Sequence, residues 1–250
     1  MNISFYNGVS GLMAYQEEMN IISHNVSNSG TFGYKPDKAV FADLLYTRMA
    51  VNSEEEPLAG HGVRLADSRM IYKQGPVLQS GCTLDFALMG DGFFAVRRSD
   101  GSIQYTRNGA FDISTEGKKG FLVTNDGSHV LDEKGKDIEL EREEKDGLFD
   151  LEGLKDRIAI YDFPNPFGLE HANDSCFRPT EISGEAVLIE EGETVYPGRN
   201  YQVLQSAVEQ SAVDLADEMV GVIMAQKSFQ FSAKLVQTSD ELEQVINNLR

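Results

Sequence analysis

The stretch SAVDLADEMVGVIMAQKSFQFSAKLVQTSDELEQVINNL, residues 211–249, decides the architecture. Ser211 with Asp214 reads as a capping box, and Leu215, Met219, Val222 and Phe229 follow at helical spacing. The stripe continues through Leu235, Leu242, Ile246 and Leu249, with Gln226 and Ser239 as polar interruptions and Gly221 as the only break. The spacing predicts one helix over about 211–248, roughly 57 Å long at about 1.5 Å per residue. A helix of that length exceeds the globular mean several-fold, so its apolar stripe needs a partner of similar length.

The N-terminus offers one. Phe5, Val9, Leu12, Met19 and Val26 form a second stripe, with Gln16 and Ser23 in its two missing positions, Ile21 and Ile22 beside it, and Asn2 or Ser4 as its cap. The helix is about 24 residues, roughly 36 Å. SHNVSNSGTFGYK, residues 23–35, stops it: Gly30 and Gly33 tolerate positive φ, while Asn25 and Asn28 satisfy backbone groups locally. A bulky β-branched residue in place of Asn28 or Gly33 is expected to impair assembly and leave the β domain folded. The two stripes can pair with each other in a hairpin or with neighbouring copies. Polar Gln16, Ser23, Gln226 and Ser239 in the seams favour an assembly interface over a dry core.

Between the termini the period changes to two. RMIYKQGPV, LDFALMGDGFFAVRRSDGSIQYTRNGAFDIS and GFLVTNDGSHVLD carry Asp-Gly at 91, 100 and 126 and Asn-Gly at 108, with β-branched and aromatic residues between them, which are hairpin signals. Short strands are also expected at 157–162, 186–190 and 201–204, whereas 50–61 and the acidic 141–147 read as exposed loops. The fold class is therefore α+β and β-dominated: a mainly β middle domain with long N- and C-terminal helices that pair as a coiled-coil-like layer. The expected division is a helix and turn over 1–35, an extended linker over 36–80, a β domain over 81–205 and a C-terminal helix over 206–250 that pairs with 1–35.

Forty acidic against 22 basic residues give a formal charge of -18, which repels nucleic acid and anionic membranes; the simplest reading is a solvated acidic surface. No run approaches the ~20 apolar residues of a membrane span, and the first residues lack the pattern of a secretory leader. Cys82 and Cys176 are far apart and outside any CxxC, so they read as two reduced thiols or a single long-range disulfide.

Chemistry is weakly signalled. GDGFF at 90–94 lacks the third glycine and the following helix of a phosphate cradle and reads as a turn. His24, His61, His129 and His171 are scattered without metal-ligand spacing, and Asp126, Asp132, Glu133 and Asp137 lack the order of a calcium loop, so no metal or cofactor is expected. No G-x-S-x-G elbow occurs, so no nucleophilic triad is indicated. A carbohydrate-active or carbohydrate-binding β domain, needing only two suitably spaced carboxylates, stays as the alternative.

Three segments carry a resemblance. GVSGLMAYQEEMNIISHNVSNSGTFGYK resembles the start of bacterial flagellar basal-body rod and hook proteins, where SGLxAxQxxLxxIxNNLAN precedes NxxTxGFK. Ser10, Gly11, Leu12, Ala14, Gln16, Asn25, Asn28, Gly33 and Lys35 fall on that pattern; His24, Gly30 and Tyr34 depart from it. The middle is similar to the family's LDxAIxGxGFFxV and YTRxGxF runs, FPNPFGLE to its FxNPxGL, and the C-terminal stretch to its LExSNVDLxxEMVxMIxAQRAYE. The length and FADLLY, residues 41–46, favour the distal-rod type over the proximal rod or the larger hook proteins.

The resemblance implies a non-enzymatic subunit that polymerises into a tubular axial structure and transmits torque from motor to hook. It implies residence in the flagellar basal body after export through the flagellar type III apparatus. The partners it implies are copies of itself, neighbouring rod and hook proteins, and the export apparatus. The expected subunit-interface residues are Leu12, Met19, Val26, Leu215, Met219, Val222, Phe229, Leu242 and Ile246, with Asn25, Asn28, Gly33 and Lys35 as the turn motif.

Overall fold

The computed structural model describes residues 3–48, 58–116, 119–140, 149, 151, 153–173, 175–189, 196 and 199–249. In chain order its elements are α1 (Ile3–Ser27), β1 (Asp37–Asp43), β2 (Tyr46–Arg48), β3 (Leu58–Gly60), β4 (Val63–Met70), β5 (Val77–Gln79), β6 (Phe86–Gly90), β7 (Phe93–Arg97), β8 (Ile103–Thr106), β9 (Phe111–Glu116) and β10 (Lys119–Thr124). There follow β11 (His129–Val130), β12 (Glu139–Leu140), α2 (Leu154–Arg157), β13 (Ile160–Asp162), β14 (Glu170–His171), β15 (Cys176–Arg178), β16 (Val187–Leu188), β17 (Tyr201–Gln205), β18 (Ala207–Glu209) and α3 (Leu215–Asn248).

The chain divides into two units: one of residues 1–27, 37–69 and 214–250, the other of 28–36 and 70–213. It therefore passes between them at four points. In the helical unit, α1 and α3 pack together, β1 pairs with β4, and β2 pairs with β3. Helix α3 starts later than the sequence reading placed it. Ser211 lies outside the helix, and Asp214 is the N-cap, its carboxylate accepting from the Ala216 and Asp217 amides at 2.9 and 3.5 Å.

The second unit is built on a ten-stranded sheet ordered β12-β10-β11-β7-β8-β15-β14, with β13 on β7, β16 on β13 and β9 on β10. Strand β7 lies at its centre, and Phe93, Phe94, Ala95 and Val96 are all fully buried. Since successive side chains point to opposite faces, two cores form. Phe94 and Val96 join Phe86, Phe111, Leu122 and Ile160, whereas Phe93 and Ala95 join Tyr105, Leu131, Phe163 and Phe177. Each such apolar side chain contributes on the order of 1.5–3 kcal/mol.

Two of the four expected hairpins are present. Asp100-Gly101 joins β7 to β8, and Asp126-Gly127 joins β10 to β11. At Asp91-Gly92 and Asn108-Gly109 the flanking strands do not pair: β6 takes β17 as its partner, and β9 takes β10. The Asn108-Gly109 corner instead brings the Gly109 carbonyl onto the Phe86 amide at 2.9 Å. A dipeptide specifies a local reversal, while the partner is chosen by distant strands.

Residues 157–159 precede β13 rather than extending it, because Arg157 closes the short helix α2. Leu58–Gly60, read as the tail of a loop, forms β3 against β2. The rest of that loop at 50–57, the acidic 141–147, Asn2 and Glu190 lie outside the described residues. Cys82 is exposed and Cys176 buried, and the two are not joined in a disulfide, which answers the pairing left open above. No described helix is long and apolar enough to cross a membrane.

Candidate assembly interface

The seam between α1 and α3 is made of small residues. Gly8, Gly11, Ala14, Ile22 and Asn25 are the buried positions of α1, and Ala225 and Ser239 those of α3. A Cβ on Gly8 would lie 2.7 Å from Val236 Cγ2 and 3.3 Å from the Ser232 carbonyl oxygen, and one on Gly11 would lie 2.9 Å from Ser232 Oγ. Ile22 fills the space over Gly221, and Asn25 Nδ2 donates to Glu218 Oε1 at 2.9 Å. Asn25 thus meets the start of α3 while Gly8 meets its later part, so the helices run antiparallel. The same Asn25 amide donates to the Asp37 carbonyl at 2.8 Å and accepts from the Asp37 amide at 3.0 Å, fixing the start of β1. Desolvation at the helix pair raises the Glu18 carboxyl. It also raises Glu218, which the Asn25 hydrogen bond partly offsets.

The sequence reading followed the large side chains and left open whether they meet within the chain or between copies; the seam within the chain is built on small residues instead. Gln16, Ser23 and Gln226, expected inside it, are exposed; Ser239 alone of the four is buried, at 3% exposure. Of the expected interface residues, Leu12, Met19, Val222 and Phe229 are half-buried beside the seam. Val26, Leu215, Met219, Leu242 and Ile246 are exposed, and Ile246 reaches 64%. Glycines at helical spacing were the signal that the apolar reading passed over.

The turn after α1 belongs to the β unit. The Asn28 carbonyl and Oδ1 accept from the Thr31 amide and hydroxyl at 3.1 and 3.2 Å. Gly33 has φ +67° and its amide donates to the Glu209 carbonyl at 2.8 Å. The Ala212 amide donates to the Tyr34 carbonyl at 3.0 Å, that of Ile71 to the Pro36 carbonyl at 2.8 Å, and that of Gln210 to the Pro76 carbonyl at 2.8 Å. Segments 33–36, 71–76 and 209–212 are therefore laced together.

A buried ionic cluster lies among them. Lys35 Nζ donates to Glu209 Oε1 and to the Lys73 carbonyl, both at 2.6 Å, and the Gly75 amide donates to the same Oε1 at 2.8 Å. Arg107 Nη1 reaches Glu209 Oε2 at 3.2 Å, while its Nη2 donates to the Gly90 carbonyl at 2.6 Å and to the Tyr72 hydroxyl. The Tyr72 ring lies under both cations, 5.5 Å from Lys35 Nζ and 5.3 Å from Arg107 Cζ. Lys35 and Arg107 are each 1% exposed, so a single carboxylate balances two enclosed cations. The sequence reading named Lys35 as part of a turn and passed over Glu209 and over Arg107, although Arg107 lies in a stretch it quoted.

Burial pulls the Lys35 ammonium down to about 8, its desolvation outweighing the favourable Glu209 carboxylate, with Arg107 lowering it further. An unfolded lysine titrates near 10.5, so between these values the unfolded chain binds the extra proton. The cost of enclosing this charge is fully present below about 8 and is relieved as pH rises toward 10.5. Unfolding in urea at pH 7.5 and pH 10 should therefore show wild type gaining stability relative to Lys35→Met; a constant difference would contradict the assignment.

Two clefts occur in the β unit. One, of about 270 Å³, has Asp126 as its single lining carboxylate, among Thr31, Thr106, Asn108 and Thr124. The other, of about 500 Å³, is lined by Asp132, Asp137 and Glu139, with Asp137 bound to Arg97 and Glu139 bound to Lys119, each at 2.6 Å. The first lacks the pair of carboxylates that glycoside chemistry needs, and in the second two of the three lining carboxylates are tied to cations.

Residues 5–35 match the family described as Flagella basal body rod protein, 87–154 the Flagellar hook protein FlgE/F/G D1 domain, and 204–249 the Flagellar basal body rod FlgEFG protein C-terminal. The chain is 33% identical to the flagellar basal-body rod protein FlgG of Buchnera aphidicola subsp. Acyrthosiphon pisum over 96% of each chain. It is 30% identical to that of Bacillus subtilis over 99% of this chain and 98% of the relative.

The chain belongs to the flagellar basal-body rod family. A more distant relative, the flagellar hook-basal body complex protein FlhP of Bacillus subtilis, is 26% identical over 94% of each chain. The three matched segments of this rod-family chain contribute Lys35, Arg107 and Glu209 respectively. The rod-family signature thus meets at one buried site, although its parts are scattered along the sequence.

Proposed function

We infer that the chain is a structural subunit of the flagellar basal-body rod, of the distal-rod type, that assembles with copies of itself and with neighbouring rod and hook proteins. The observation that carries this reading is helix α3. Leu215, Met219, Leu242 and Ile246 stay exposed on α3, although the helix is packed against α1. Apolar area of that extent on a rigid surface is stable chiefly when another chain covers it. Together with Leu12, Met19, Val26, Val222 and Phe229, these residues form the inter-subunit contact, and the clasp at Lys35, Arg107 and Glu209 fixes the β unit that accompanies it. Membership in the rod family favours residence in the basal body, delivery through the flagellar export apparatus and a non-enzymatic role.

Electron microscopy of purified basal bodies carrying an epitope-tagged copy tests the reading. Label is expected on the rod; label elsewhere, with the rod unmarked, defeats it. Ile246→Asp should leave the circular dichroism of the purified chain unchanged and reduce incorporation at least tenfold, because the substituted side chain meets only water until a neighbour arrives.

A further inference from the structure

The cleft of about 270 Å³ lies where four pieces of the β unit end. The turn after α1 supplies Thr31, the end of β8 and its corner Thr106 and Asn108, the turn after β10 Asn125 and Asp126, and the residue before β15 Ser175. Thr31 and Thr106 stand on the threonines of the NxxTxGFK and YTRxGxF patterns, a part of the resemblance that the buried clasp does not use.

Buried threonines brace the walls. Thr106 Oγ1 donates to the Ser175 carbonyl at 2.9 Å and accepts from the Asn108 amide at 3.0 Å. Thr124 Oγ1 donates to Asp126 Oδ1, and Ser128 Oγ donates to its Oδ2 at 2.7 Å. Ser175 is held at φ +56°, in the left-handed region that a serine rarely adopts, and such positions cluster at binding sites. With the walls fixed, several groups stay unspent. Among the described residues the Asn125 side chain and the Ser175 hydroxyl have no hydrogen-bond partner, and Asn108, whose Oδ1 accepts from the Ala110 amide at 3.1 Å, keeps its Nδ2 hydrogens. Burial raises the Asp126 carboxyl, but the hydrogen bonds from Thr124 and Ser128 outweigh it and hold the group below the usual carboxylate range, so it is ionised at neutral pH. Arg98 Nη2, 3.7 Å from Asp126 Oδ2, offsets that charge.

The cleft therefore presents donors and acceptors side by side with little net charge. An ion gains little there, whereas a small neutral ligand whose own groups both donate and accept leaves none of them unmatched. The volume lies just below the range of about 300–1,000 Å³ typical of ligand pockets, which suits a single ring. We propose that this cleft binds one sugar ring, with Asp126 accepting from two neighbouring hydroxyls, Asn108 and Asn125 donating to others, and Ser175 doing both. The site stands on the β unit alone and is independent of the reading of the chain as a rod subunit.

Saturation-transfer NMR on the full chain, with glucose, galactose and N-acetylglucosamine as probes, tests this. At least one sugar should bind saturably, with a Kd on the order of 1–10 mM. Asn125→Leu, at an exposed position without a partner, should leave the circular dichroism unchanged and abolish the transfer. Ser175→Gly should not lower the melting temperature, because glycine adopts that φ freely, yet should weaken binding by about threefold or more. Lys136→Leu, which lines the other cleft, should bind as wild type does. The proposal is overturned if no sugar gives saturable transfer, if binding survives Asn125→Leu or is undiminished in Ser175→Gly, if Lys136→Leu abolishes it, or if free arginine binds more tightly than every sugar.

Discussion

Glu209→Gln should destabilise the β unit by about 3–5 kcal/mol at neutral pH, the range for removing one partner from a buried ion pair. Glu209 is fully buried and accepts from Lys35, Arg107 and the Gly75 amide, so the substitution leaves two enclosed cations without a counter-charge. The glutamine keeps the shape and one acceptor, but its NH2 turns a donor toward Lys35 or Arg107, so a hydrogen bond is lost along with the charge. Adding Lys35→Met to the variant should recover part of the loss, since one of the stranded cations is gone. Urea unfolding of the three proteins at pH 7 checks this. A Glu209→Gln variant within about 1 kcal/mol of wild type would show that water or rearrangement reaches the site.

Gly33→Val should cost about 4 kcal/mol, lowering the melting temperature of a unit this size by roughly 10 °C. Two effects combine. At φ +67° an L side chain, and above all a β-branched one, is strained by about 1–2 kcal/mol. A Cβ there would also lie 2.5 Å from the Arg107 carbonyl carbon and the Asn108 amide nitrogen, both backbone, so relief requires moving a strand end at about 1–3 kcal/mol. Gly30→Ala is the control, since nothing lies within 4 Å of its Cβ position. Calorimetry should separate the two variants clearly. The sequence reading expected a β-branched residue at position 33 to spare the β domain; Gly33 packs within that unit, so the damage falls there first.

The overall class was legible because it depends on periods. The 3.6-residue pattern at both ends and the alternation between them follow from side-chain direction alone, and they placed α1, α3 and the strands of the sheet. What failed depended on partners far along the chain. Asp91-Gly92 has the composition of a hairpin turn, yet β6 prefers β17, over a hundred residues away. The seam within the helix pair was not legible for a related reason: the large side chains marked the stripes, but close approach favoured Gly8 and Gly11 and left Met219 and Ile246 outside it. Glu209 gave no local sign, since its role arises only when Lys35 and Arg107 are brought to it.

Glycine and serine make poor solitary helices, and the seam places them where each helix meets its companion. Those companions lie nearly two hundred residues apart, so a growing polypeptide cannot close the helical unit until Leu215–Asn248 has appeared. A product that stops before α3 is left with an unmatched first helix. The pair thereby forms only on chains that carry both helices.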